Sequence, residues 1–184
     1  MRSICLFIWF AATIAIADDQ FRPKIVANPA ASYLAEHDYV NLPYRYAEFH
    51  EDFNADGMED VAYTNGADAG TGGAGWEIYL RRADGKYLDV GLIAFKSWNF
   101  RIERIKKGVT RIYAYLHGGG GGGSITEYRL SNDGIKEIKT ESVTLTDDPK
   151  DKTMQRFDKL FKNAPDQKEI LYTKEELKSK VSRE

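Results

Sequence analysis

The sequence predicts a mainly β, α+β fold: a twisted antiparallel β-meander that carries a calcium-binding β-loop-β unit and ends in a C-terminal helix. Three observations predict it. Short aromatic and β-branched runs recur through the middle of the chain, separated by turns rich in Gly and Asp. One turn, Asp52-Phe53-Asn54-Ala55-Asp56-Gly57-Met58-Glu59-Asp60, has the oxygen spacing of a calcium loop. Past residue 146 the alternation gives way to a charged segment with helical periodicity.

Arg2 precedes an apolar stretch from Ile4 to Ile16, and Ala15-Ile16-Ala17 forms an A-x-A cleavage site. Residues 1–17 are expected to be a signal peptide cleaved between Ala17 and Asp18, which places the protein in the periplasm or outside the cell. No other segment approaches about 18 consecutive apolar residues, so no membrane span is expected. The only cysteine, Cys5, lies in the leader, which suits a bacterial exported protein better than a small eukaryotic secreted domain. The net charge of −2 becomes −3 when Arg2 is removed, a balance that suggests neither nucleic acid nor an anionic membrane as partner.

Residues 18–146 are expected to hold the β domain. Asn28-Pro29 marks a turn, and Ala30 to His37 forms a short helix. Tyr44 to Phe49 and Val61 to Thr64 read as strands on either side of the calcium loop. Trp76 to Leu80 alternates, turns at Ala83-Asp84-Gly85-Lys86 and returns as Tyr87 to Val90. Phe100 to Ile105, the turn Lys106-Lys107-Gly108 and Thr110 to Leu116 form the next hairpin. Ile125 to Leu130 and Ile135 to Ile138, joined by Ser131-Asn132-Asp133-Gly134, form another, giving six to eight strands.

Residues 147–184 are expected to be a charged helical tail, with ten basic and nine acidic residues. Pro149 stands near the first position of a helix whose Met154, Phe157, Leu160 and Phe161 share one face, and Asn163-Ala164-Pro165 ends it. If that face docks on the domain, Phe157 and Phe161 are buried; if it binds a partner, they are exposed. A second helix starts at Thr173, where Thr173 and Glu176 form a capping box.

Calcium takes about six to eight oxygen ligands. Asp52, Asn54 and Asp56 stand at loop positions 1, 3 and 5, the Met58 carbonyl at position 7 and Asp60 at position 9. Gly57, at position 6, permits the sharp turn. Glu51, Asp52, Asp56, Glu59 and Asp60 would repel one another without a cation. Ca²⁺ is favoured over Mg²⁺, which keeps several waters and few protein ligands. The loop is no EF-hand: Tyr63 occupies the position of the bidentate acid, and strands rather than helices flank it.

Two glycine tracts read as hairpin loops. Gly70-Thr71-Gly72-Gly73-Ala74-Gly75 matches G-x-G-x-x-G, but a strand follows where a dinucleotide site needs a helix. Gly118 to Gly123 lacks the Gly-Lys-Ser/Thr ending of a phosphate loop. No catalytic residue stands out. His37, His50 and His117 lack metal-pair spacing, and His50 is expected to neighbour the loop rather than ligate calcium. Glu48, Glu51 and Glu59 do not by spacing alone make a sugar-hydrolysing pair.

Asp52 to Ala62, D-F-N-A-D-G-M-E-D-V-A, resembles the calcium-binding core of FG-GAP and VCBS-type repeats, found in integrin-type β-propellers and many bacterial surface proteins. The resemblance implies a β-loop-β calcium site with ligands at Asp52, Asn54, Asp56, the Met58 carbonyl and Asp60. The motif occurs once, so a closed propeller of about four or more blades is not expected. The run from Thr71 to Leu80 with the following Asp84-Gly85-Lys86-Tyr87 turn is also similar to small exported bacterial proteins of unassigned function. The expected function is an exported, non-enzymatic calcium-binding domain that binds a protein or glycan partner. An inhibitor or immunity protein that blocks a toxin or wall hydrolase is the second reading, and an enzyme acting on glycan or peptide the third. An exposed aromatic patch at Tyr44, Tyr46 or Trp98 would favour binding.

Overall fold

The computed structural model of the chain describes residues 21–37, 45–66, 69–70, 72–95, 99–144, 146, 148, 150–162 and 169–183. The expected leader and cleavage point, Tyr44, Trp98, Pro149 and the expected helix stop at Asn163 to Pro165 lie outside them.

Two antiparallel sheets form the body. The first has the order β1 (Lys24–Val26), β6 (Tyr87–Phe95), β5 (Gly73–Arg81), β3 (Asp60–Asn65), β2 (Tyr46–Glu51), β11 (Ile170–Tyr172), with β4 (Ala69–Gly70) also paired to β5. The second has the order β10 (Gly134–Thr144), β9 (Gly122–Ser131), β8 (Val109–Gly119), β7 (Phe100–Lys106). The expected mainly β, antiparallel fold with a C-terminal helix is therefore what forms, without a closed barrel among the described residues. The strands outnumber the expected six to eight because β1, β4 and β11 have only two or three residues. Such segments are too short to show alternation.

The turns follow their sequences. Gly85, Gly108 and Gly134 have φ of +78°, +75° and +113°, a region open to glycine at no steric cost. The helix α1 (Pro29–His37) begins where Asn28 accepts the Ala31 N–H on its side-chain oxygen at 2.9 Å, with Pro29 at the first helical position. Helix α2 (Lys152–Phe161) starts beyond Pro149, because the Asp151 carboxylate accepts the N–H groups of Thr153 and Met154 and so fixes the cap. Helix α3 (Lys174–Val181) opens on the Thr173–Glu176 capping box read from the sequence.

The main core lies between the sheets. Phe49, Trp76, Ile78, Ile93 and Phe95 of the first meet Phe100, Ile112, Ala114 and Leu130 of the second. Phe49 sits edge-on to Trp76 at 4.9 Å and to Phe53 at 5.3 Å, while Phe95 stacks on Phe100 at 4.7 Å. The outer face of the first sheet carries Tyr46, Val61, Tyr63 and Tyr79 under Tyr33 and Leu34 of α1 and Leu177 of α3. Tyr46 is thus buried and offers no exposed aromatic surface. On the outer face of the second sheet, Leu160, Phe161 and Phe157 of α2 cover Tyr113, Tyr115 and Val143. The apolar face of α2 is docked, and each such buried side chain contributes about 1.5–3 kcal/mol. The segment after residue 146 therefore reaches both sheets: α2 covers the outer face of the second, α3 that of the first, and β11 extends the first at its β2 edge.

Both glycine tracts depart from simple loops. The first is itself the β4–β5 hairpin, and the second extends β8 and β9 to a turn at Gly120 and Gly121. The tracts also meet: the His117 N–H donates to the Gly72 carbonyl at 3.1 Å, joining the two sheets. A Cβ on Gly72 would lie 2.5 Å from the His117 carbonyl oxygen, whereas one on Gly120 would meet nothing within 4 Å. Gly72→Ala should therefore lower the unfolding free energy by ~2–3 kcal/mol through overpacking, and Gly120→Ala, at φ +59°, by only about 1 kcal/mol. Urea unfolding of both variants measures the difference; equal losses would contradict this close approach.

Candidate metal centre

The loop from Asp52 to Glu59 joins β2 to β3, whose residues pair from Tyr46 with Asn65 to Glu51 with Asp60. It is anchored from below. Phe53, fully buried among Phe49 and Phe100, plugs the core between the sheets. Its N–H donates to Asp60 Oδ2 at 2.9 Å, and its carbonyl accepts the Thr110 hydroxyl of β8 at 2.6 Å. Asp60 Oδ1 accepts the Arg81 N–H of β5 at 2.7 Å.

In the loop itself the polar side chains bond back to its own backbone and to one another. Asp52 accepts the Asp56 N–H on Oδ1 at 3.0 Å and the Gly57 N–H on Oδ2 at 2.9 Å. Asn54 accepts the Asp56 N–H at 3.0 Å and donates its amide to Asp56 Oδ2 at 3.0 Å. Asp56 Oδ1 accepts the Met58 N–H at 2.8 Å. Gly57 makes the expected turn at φ +94°, and Ala55 takes a left-handed φ of +55°, which costs a non-glycine residue ~1–2 kcal/mol. Of the five residues read as ligands, Asp52, Asn54 and Asp56 are brought together, and Met58 joins them through its N–H. Asp60 lies beneath, fully buried, each oxygen holding one backbone N–H and keeping a further lone pair. These are hard oxygen donors, the set a calcium ion takes.

The loop concentrates negative charge around a buried acid. Burial, and then the charges of Asp56 and Asp52, push the Asp60 carboxyl up to about 7 against two lowering backbone hydrogen bonds. Among the described residues no Lys, Arg or His side chain pairs with Asp52, Asp56 or Asp60. A cavity of about 340 Å³ flanks the loop, lined by Asp56, Met58, Arg81, Arg82, Asp84 and Asn132.

The other sequence candidates are taken up in pairing. His50 neighbours the loop: its Nε2 meets Glu48 at 2.6 Å and its Nδ1 meets Glu59 at 3.1 Å. The Glu48 carboxylate raises the His50 imidazole. Lys180 of α3 binds both Glu48 oxygens, at 2.7 and 2.6 Å. Glu51 accepts the Asp52 N–H. His37 stacks on Tyr33 and faces Glu77 at 3.3 Å, and His117 Nδ1 accepts the Gly119 N–H at 3.1 Å. Burial of Glu77 and Asp89 is not legible in the sequence, because alternation marks a shared face without showing that helices cover it. Among the described residues no helix is long and apolar enough to cross a membrane. No known protein family, curated protein or solved structure matches the chain.

The Glu48 clamp sets a pH dependence. Burial raises its carboxyl, but the hydrogen bonds from His50 and Lys180 prevail and hold it at about 2, below the usual 4.5. A depressed folded pKa contributes stability above the unfolded value, and that stability is lost as pH falls from about 4.5 to about 2. Wild type should lose on the order of 2 kcal/mol more than Glu48→Gln over that window, allowing for solvent screening. Chemical unfolding at stepped pH gives the comparison, and parallel curves would contradict the clamp.

Proposed function

We propose that the protein is an exported calcium-binding β domain that acts as a binding protein toward a protein or glycan partner. The observation that carries the calcium assignment is the fully buried Asp60 carboxyl, held by two backbone N–H groups and, among the described residues, by no basic side chain, in one loop with Asp52, Asn54 and Asp56. A divalent cation above Asp60 would offset the mutual repulsion of the three acids and replace the missing positive side chain. The likeness of residues 52–62 to FG-GAP and VCBS-type calcium loops supports the same ligand set. Export is supported by the n-region, apolar stretch and A-x-A site of residues 1–17. Outside the cytosol, free calcium is high enough to fill a site with Kd on the order of 10⁻⁴–10⁻³ M.

The ion's role is structural in this reading. It fixes the β2–β3 loop, and with it the wall of the adjoining cavity, for contact with a partner. Binding to a glycan array in calcium, lost in chelator, would place the partner among glycans.

A ligand that binds only the folded state adds about 2.7 kcal/mol at 100 times Kd, and each kcal/mol shifts Tm by roughly 2–4 °C in a chain of this size. Saturating Ca²⁺ should therefore raise Tm by several degrees and Mg²⁺ by less, with the rise lost in Asp56→Ala. A calcium shift in Asp56→Ala equal to that of wild type would overturn the assignment.

A further inference from the structure

We propose that Glu36, Glu77 and Asp89 form a second site, for a hard divalent cation, on the face of the first sheet that α1 covers. One carboxylate oxygen from each lies within 4.8 Å of the others. Glu77 and Asp89 stand on neighbouring strands β5 and β6, and their side chains are 9% and 0% exposed. Glu36 comes from α1 and is 43% exposed, so the cluster opens to solvent on one side.

The charges in the cluster are under-compensated. Lys24 of the edge strand β1 pairs with Glu36 and sits 3.3 Å from Asp89 Oδ2. That is one fixed positive charge against three carboxylates. His37, 3.3 Å from Glu77, adds a second only when protonated. Burial first, then the charges of Asp89 and Glu36, push the Glu77 carboxyl up to about 7.

A separate observation points to a ligand. Tyr79 is fully buried, directly across the strands from Asp89 and two residues from Glu77 on the same face. Its hydroxyl lies beside Glu77 without a hydrogen bond of normal geometry. Burial and the three acids push the phenol up, so it stays a neutral oxygen donor. Carboxylates with a phenol oxygen are an all-oxygen set, which suits Ca²⁺, Mg²⁺ or Mn²⁺ rather than softer metals. Lys24 occupies the cation's place. Its side chain is 45% exposed on a three-residue edge strand, so an entering ion would displace it from Glu36 and Asp89 toward solvent.

Mn²⁺ binding, followed by electron paramagnetic resonance, tests the proposal in three chains. Lys24→Met removes the resident charge and should tighten one Mn²⁺ by on the order of tenfold relative to wild type. Adding Glu77→Gln to Lys24→Met should remove that gain. The 52–60 loop is intact in all three chains, so its own affinity cancels. Lys24→Gln provides the same measurement where the methionine variant folds poorly. Identical isotherms for wild type and both Lys24 variants, or a gain that survives Glu77→Gln, would overturn the second site.

Discussion

The hydrogen bond from the Phe53 N–H to the buried Asp60 carboxylate is the interaction on which the centre of the molecule depends. Asp60 ties the loop to β5 through the Arg81 N–H. Phe53 ties it to the second sheet through the Thr110 hydroxyl and through its ring in the aromatic core. A surface turn is thereby made part of the packing between the sheets. A buried carboxylate is costly unless hydrogen-bonded or paired, and here two backbone donors compensate only in part. The acids nearest to it are Asp56 and Asp52, whose oxygens accept N–H groups of the loop itself.

The same principle recurs on the outer face of the first sheet. That face is not solvated, because α1 and α3 lie across it. Glu48, Glu77 and Asp89, which simple alternation would leave in water, are buried with basic partners: Lys180 and His50, His37, and Lys24. Removing one partner from such a pair leaves an uncompensated charge, which destabilises more than loss of a surface ion pair. Lys180 thus locks the last helix to β2 across 132 residues of sequence.

Much of this fold is legible in the sequence. The hairpins are, because Gly85, Gly108 and Gly134 sit where the chain must take a positive φ. The docked face of α2 is, because Phe157, Leu160 and Phe161 repeat at helical spacing. The spacing of oxygen residues in the loop is, together with the strands on either side. What is not legible depends on distant partners. Phe53 looks like an exposed loop residue until the second sheet is in place above it. The tracts around Gly72 and Gly123 look like spacers, yet Gly72 is required where His117 approaches. A Cβ on Gly123 would crowd the Leu116 carbonyl and the Tyr115 hydroxyl. Strands β1 and β11 close both edges of the first sheet with three residues each, too few to announce themselves.

A crystal structure of the protein grown with calcium tests the central claim most directly. The expected result is one ion above Asp60, with the side-chain oxygens of Asp52, Asn54 and Asp56 and the Met58 carbonyl at about 2.3–2.6 Å, and Asp60 bound directly or through water. A loop that keeps its hydrogen bonds among Asp52, Asn54 and Asp56 in saturating calcium, with no ion among them, would contradict it.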